Sequence, residues 1–224
     1  MNVLIIGASR GIGLELVRQY REAGHRVIAT ARDHEGIARL NVMGAQALQL
    51  DVINPASISG LGWQLDGEKL DLALYVAGVF ADAGALSPPT QQAFDQMLHT
   101  NVLGAMQTIP QVAPCVEEAQ GQFVFLSSDM GCIGGVHSSR GWLYQVSKAA
   151  LNMAVVAAQP DYPRARFVLL HPGWVRTEMG TPAAPLLVED SVASIRSTLQ
   201  KISVQPRTAQ VPYVRWDGTA FETW

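Results

Sequence analysis

The chain has 224 residues, 48% of them hydrophobic and 16% charged, and its 16 Lys+Arg against 19 Asp+Glu leave a formal charge of −3. That apolar fraction excludes disorder, and without a basic excess the surface is not built for nucleic-acid phosphates. One compact domain, residues 1–224, is the expectation at this length, with a core that needs no staples.

The two cysteines, Cys115 and Cys132, have neither disulfide-framework nor metal spacing and read as reduced thiols. No apolar run approaches the roughly 18 residues of a membrane span. The N-terminus lacks the basic flank and cleavage site of a signal peptide, so a cytoplasmic protein with no membrane partner is expected.

In chain order, Val3–Gly7 reads as a buried strand. A helix follows that places Ile12, Leu16, Val17 and Tyr20 on one face and stops at Gly24. Arg26–Ala31 is a second strand, a short helical piece comes next, and the third strand ends near Asp51. Leu70–Gly78 is the fourth strand. A long helical segment runs from about Thr90, with Pro110 and Pro114 expected to kink or end it. Gly121–Ser128 is the fifth strand, Tyr144–Ala158 an Ala-rich helix and Ala165–Pro172 the sixth strand. A last helix begins near Glu189, and a short strand lies around Val211–Trp216.

Apolar strands alternating with helices predict an α/β fold: a doubly wound (Rossmann) parallel sheet of about seven strands with helices on both faces. Ligands in such sheets sit at the carboxyl ends of the strands, so loops 80–89, 129–143 and 173–188 should build the site.

Three constellations carry chemistry. Gly7, Ser9, Arg10, Gly11, Ile12 and Gly13 lie between the first strand and its helix, where backbone N–H groups attract a pyrophosphate. The spacing is G-x3-G-x-G, not the generic G-x-G-x-x-G, and glycines serving the turn alone are the alternative. At the end of the second strand stands Arg32, where an NAD-selective fold carries an acid; with Arg10 it suits a 2′-phosphate, while Asp33 beside it counts against.

The third is Tyr144-x-x-x-Lys148, which puts phenol and ammonium on one helix face. An ammonium about 4 Å away contributes on the order of 4 kcal/mol at an effective dielectric of about 20. That is expected to lower the phenol by roughly three units at about 1.36 kcal/mol each. His99, His137 and His171 have no metal-ligand spacing, and no metal is expected.

The glycine loop, Ala77-Gly78, Asn101, Ser127-Ser128, Tyr144-x-x-x-Lys148 and Pro172-Gly173 occur in one order. Together they resemble the classical short-chain dehydrogenase/reductase family over essentially the whole chain. SSDMG, GWLYQVSKAALN and HPGWVRTEMG look like its C-factor or Sniffer-type carbonyl-reductase branch.

The resemblance implies Tyr144 as proton donor, Lys148 as the group that lowers its pKa and holds the nicotinamide ribose, and Ser128 as donor to the substrate oxygen, with Ser127 the weaker substitute. Asn101 would hold a water in a relay through Lys148. Asp51 and Val52 would flank the adenine; Ala77, Gly78, Pro172, Gly173, Val175 and Thr177 would complete the cofactor site. The family's Asn-Asn-Ala-Gly stands here as Tyr75-Val76-Ala77-Gly78, so those asparagine bonds are lost.

The expected function is NADPH-dependent reduction of a carbonyl to an alcohol, with NADP(H) preferred and NAD(H) the alternative. The competing expectation is an NADP-binding regulatory protein with a vestigial site. Phe80, Met130, Cys132, Ile133, Trp142, Leu143, Trp174 and Met179 should surround an apolar or aromatic small-molecule substrate. The Thr90–Gln107 and Tyr144–Ala158 helices, the usual dimer surface of the family, suggest a homodimer.

Overall fold

The computed structural model describes residues 1–224. Seven strands form one sheet: β1 (Asn2–Ile6), β2 (Arg26–Ala31), β3 (Gln46–Gln49), β4 (Leu72–Tyr75), β5 (Gln122–Leu126), β6 (Arg166–His171) and β7 (Tyr213–Arg215). Every pairing is parallel, and the order is β3-β2-β1-β4-β5-β6-β7. The order reverses between β1 and β4, which places a crevice at the carboxyl ends of these two strands.

Successive residues of a strand point to opposite faces, and both faces here are apolar. Leu4, Ile6, Phe123, Phe125 and Phe167 pack on one side against α6 (Gly104–Glu118) and α7 (Trp142–Ala158). Val3, Ile5 and Val27 face the other side, covered by α1 (Gly11–Glu22), α2 (His34–Val42) and α8 (Val188–Ser203). Two short helices, α3 (Pro55–Ser59) and α4 (Leu61–Gln64), close the first layer, and α5 (Gln91–Leu98) leads into α6 through a widened π-turn, His99–Leu103. No helix is long and apolar enough to cross a membrane.

Helix α6 departs from the sequence expectation, because Pro110 and Pro114 lie inside it and neither ends it. Four residues apart, both prolines fall on the exposed face, opposite buried Ile109, Val112, Ala113 and Val116. The carbonyls that lose their helical donors there can turn to water, so the helix continues. Strand β4 is shorter than Leu70–Gly78 because the Val76 and Ala77 N–H groups both turn to the Ile6 carbonyl, at 2.9 and 3.2 Å.

Candidate active site

The glycine loop is shaped by close approach. Gly7 has φ +85°, and a Cβ there would lie 2.7 Å from the Ala77 nitrogen; a Cβ on Gly13 would lie 2.3 Å from the Gly7 oxygen. The loop is tied to the end of β2 by Gly7 N–H to Thr30 Oγ1 (3.1 Å) and Ala8 N–H to Thr30 O (2.8 Å). Helix α1 then begins with no side-chain cap and no acidic residue in its first turn, so its free N–H groups point from a positive helix end. This donor set, beside glycines that admit no side chain, fits a dinucleotide pyrophosphate.

Thr177 crosses above the loop, its Cγ2 3.4 Å from where a Gly11 Cβ would stand. Val175 is buried beneath it, Gly173 turns at φ +87°, and the Pro172 carbonyl accepts from Ser191 Oγ at 2.7 Å. Asp51 and Val52 follow β3, with Val52 buried and Asp51 half-buried.

The expected convergence of Arg10 and Arg32 is not what the side chains do. Arg10 pairs with Glu178 of the flap after β6, whereas Arg32 extends into solvent. Both partners of the Arg10–Glu178 pair are largely exposed, so it is worth only about 0–1 kcal/mol and is readily exchanged. Asp33 turns away, because its carboxylate caps α2 by accepting from Gly36 N–H at 2.7 Å. Arg39, which the sequence reading missed, donates to the Ser9 carbonyl at 2.8 Å and brings a guanidinium to the loop. Its position on α2 carries no motif.

At the opposite side of the crevice Asn101, Ser128, Tyr144 and Lys148 come together. Asn101 is fully buried; its Oδ1 accepts from Val79 N–H (2.8 Å), and its Nδ2 donates to Val79 O (2.9 Å) and Ser147 Oγ (3.0 Å). Ser147 in turn donates to the Tyr144 carbonyl at 2.8 Å, which couples the asparagine to the tyrosine's helix. A Cβ on Gly78 would stand 3.3 Å from Asn101 Oδ1 and 3.8 Å from Lys148 Nζ. Lys148 is buried, with Nζ donating to the Leu126 carbonyl at 2.7 Å and lying 5.5 Å from the Tyr144 ring centroid.

Burial sets the titration of both groups. It pushes the Tyr144 phenol up to about 12, against the pull of the facing Ser128 hydroxyl and with a further push from Asp129 and Tyr213. It pushes Lys148 down to about 8. The net shift of the phenol is thus upward, opposite to the lowering expected from the helical spacing, because desolvation outweighs the other influences while Lys148 Nζ donates to Leu126 O.

Ser128 accepts from Met130 N–H at 3.2 Å and donates to Asp129 Oδ1 at 3.1 Å, while its carbonyl is held by the Tyr213 hydroxyl. Ser127 is tied into the core by its bond to Asn152 Oδ1 at 2.5 Å, which leaves Ser128 facing the tyrosine. Tyr213 and Asn152 were also invisible to sequence reasoning, because their partners lie 85 and 25 residues away.

Of the apolar residues expected around the carbonyl, Phe80 packs edge-on against the Tyr144 ring at 5.0 Å. Phe80 and Met130 also meet at Gly141, whose Cβ would lie 3.1 and 3.0 Å from them. Cys132 does not belong to this wall, since it is buried and its thiol meets the Thr223 carbonyl at 3.2 Å. Leu143 is buried, and Ile133, Trp142, Trp174 and Met179 are exposed. A separate cavity of about 620 Å3 opens between the loop after β5 and the chain end, lined by Asp129, Met130, Arg140, Gln145, Arg215 and Phe221 among others, but not by Ser128 or Tyr144.

The model of the short chain dehydrogenase family matches residues 1–185. The chain belongs to that family. This short-chain dehydrogenase is an NAD(P)-dependent oxidoreductase. It is 30% identical over 184 residues, 79% of each chain, to the 1-hydroxy-2-glutathionyl-2-methyl-3-butene dehydrogenase of Rhodococcus sp. (strain AD45). Carbonyl reductase Sniffer of D. melanogaster superposes with a TM-score of 0.89 over 100% of this chain and 99% of its own, at 27% identity. The NADPH-bound carbonyl reductase from chicken fatty liver superposes with a TM-score of 0.88 over 100% and 98%, at 25% identity. The Sniffer likeness agrees with the branch that the sequence resembles.

The buried lysine has a consequence for stability. With a native pKa near 8 against 10.5 unfolded, the unfolded state binds more protons between those values, so stability rises with pH across that window. The Lys148 contribution to this rise is on the order of 3 kcal/mol. Urea denaturation at pH 7.5 and 10 should show it in the wild type and not in Lys148→Met. Equal pH dependence in the two proteins would place the ammonium in a solvated site.

Proposed function

We propose that this short-chain dehydrogenase reduces small apolar or aromatic carbonyls to alcohols with NADPH. The observation that carries the reading is the assembly of Asn101, Ser128, Tyr144 and Lys148 at the carboxyl ends of β4 and β5, across the crevice from an uncapped helix N-terminus.

The dinucleotide would be held by Gly7, Ser9, Arg10, Gly11, Ile12 and Gly13, with Asp51 and Val52 at the adenine and Ala77, Gly78, Asn101, Tyr144, Lys148, Pro172, Gly173, Val175 and Thr177 toward the nicotinamide. When bound it supplies the hydride for the carbonyl carbon. Arg10 and Arg32 would take the 2′-phosphate, Arg10 by leaving Glu178. With Asp33 engaged by its own helix, no carboxylate at the end of β2 is free to select the 2′-hydroxyl of NAD(H).

Reduction leaves an oxyanion that needs a proton and donors aimed at it. Tyr144, held protonated by its burial, gives up the proton, and Ser128 Oγ, on leaving Asp129 Oδ1, donates to the same oxygen. Lys148 contributes positive charge that favours the departing proton. Asn101, clamped on Val79 and Ser147, would hold the water that returns a proton through Lys148. The relatives named as carbonyl reductases support this direction.

The substrate class is supported by Phe80, edge-on to Tyr144, and by Met130, which meets Phe80 at Gly141. Burying an apolar substrate there gains roughly 25 cal/mol per Å2, whereas a sugar would leave hydroxyls unpaired. A homodimer is proposed through the Thr90–Gln107 segment and α7, whose outward faces expose Leu103, Met106, Val146 and Met153. Light scattering should then return twice the chain mass, and a concentration-independent monomer would refute the assembly.

Tyr144→Phe should abolish turnover of aromatic aldehydes and quinones while NADPH binding stays within about twofold, since only the transferable proton is lost. A Phe variant with wild-type kcat, or a panel in which a sugar or short keto acid has the highest kcat/KM, would overturn the reading. Fluorescence titration should show NADPH binding at least about tenfold more tightly than NADH, with the order reversed in Arg32→Asp. Equal dissociation constants in the wild type would remove the arginines from cofactor choice.

A further inference from the structure

We propose that Tyr75, at the end of β4, is a positioning residue that holds the turn carrying Asn101 by donating its phenol proton to the Thr100 carbonyl. The proposal rests on the reading of Asn101 in the proton relay above.

The helical segment from Gln91 to Glu118 changes its winding at His99–Leu103. There the Gly104 N–H bonds the His99 carbonyl, five residues back. Regular α geometry would send that N–H to Thr100 O, so the widened turn takes from Thr100 its ordinary donor. Thr100 is buried, and a buried carbonyl left without a partner is costly. Its own hydroxyl cannot help, because it donates to Gln96 O at 2.9 Å.

Tyr75 supplies the missing donor from another part of the chain. Its hydroxyl reaches Thr100 O at 3.0 Å, its side chain is almost wholly buried, and its ring packs against Phe125 at a centroid distance of 6.2 Å. Burial raises the phenol well above its ordinary pKa, so it remains a donor at all physiological pH. Gly104 makes room: a Cβ there would lie 2.7 Å from the Tyr75 hydroxyl and 2.6 Å from Val52 O. Thus the tyrosine, the π-turn and the glycine require one another.

Asn101 is the next residue after Thr100, and it is from the widened turn that its side chain makes the Val79 and Ser147 bonds. Without the phenol, Thr100 O competes for the Gly104 N–H, the turn tightens toward α, and Asn101 rotates about the helix axis away from both partners. The position where the family carries the first asparagine of Asn-Asn-Ala-Gly is thus not merely lost here. It takes over support of the relay from below.

Tyr75→Phe removes one hydroxyl and keeps the ring. We expect kcat to fall about fivefold or more and the pH profile of kcat to move by about half a unit, with NADPH binding within about twofold. The Gly104 and Leu103 amide resonances should shift in a 1H–15N spectrum while those of β6 stay in place. In a double-mutant cycle, Tyr75→Phe/Asn101→Ala should lose no more kcat than Asn101→Ala alone. An unchanged profile for Tyr75→Phe, or losses that multiply, would overturn the proposal. Tyr75→Leu separates packing from positioning, because it should melt lower than the Phe variant yet have the same kcat per folded molecule. If kcat instead tracks melting temperature across both variants, Tyr75 is a packing residue only and the proposal fails. A neutral Asn101→Ala with an impaired Tyr75→Phe would remove Asn101 from the relay, a different failure from an intact Tyr75→Phe beside a crippled Asn101→Ala.

Discussion

The forked hydrogen bond at Ile6 O, which accepts from both Val76 and Ala77, sets how the two halves of the sheet meet. Up to Tyr75, β4 runs in register with β1; beyond it the chain is drawn across the end of β1. Gly7 must therefore turn at positive φ with no Cβ, and Gly13 must close against it. The crevice, the free N–H groups of α1 and the approach of Gly78 to Asn101 and Lys148 all follow from this contact. A side chain at Gly7 would push apart the two strands between which the site lies.

The chemistry of the site depends on how its polar groups are buried. Lys148 has one protein acceptor, Leu126 O, and Asn101 is satisfied almost entirely by backbone and Ser147. Such a network holds its members in one arrangement because any unpaired group in a low-dielectric setting is costly. The same burial keeps the Tyr144 phenol protonated and makes the lysine the easier group to titrate. In the proposed reduction, acid strength is reached at the moment negative charge develops on the substrate oxygen, not stored in a depressed resting pKa.

The cofactor side is built differently. Arg10, Arg32, Arg39 and Glu178 are all exposed, and their ion pairs exchange partners at little cost. A short-chain dehydrogenase that must admit and release a dinucleotide in every turnover is served by this division: a buried polar network on one wall and interchangeable surface charge on the other.

The sequence by itself determined the α/β class, the parallel sheet and the positions of the glycine loop and Tyr144-x-x-x-Lys148, because these depend on periodicity and local spacing, whereas Asn101 and Ser128 came only from the resemblance to the family. Arg26–Ala31 was read to the residue, since a short β-prone, mostly apolar run is bounded there by Gly24 and a charged turn. Other features were decided only by tertiary structure. Pro110 and Pro114 stay within α6 because that face meets water, which no local rule states. Asp33 is drawn to the cap of its own helix, and Arg10 is turned to Glu178 by a flap 168 residues away. Tyr75 finds Thr100, and Tyr213 finds Ser128, across separations that periodicity cannot register. The direction of the Tyr144 shift belongs to the same class: helical spacing gives the distance between two groups, but only the folded chain determines how much water each has lost.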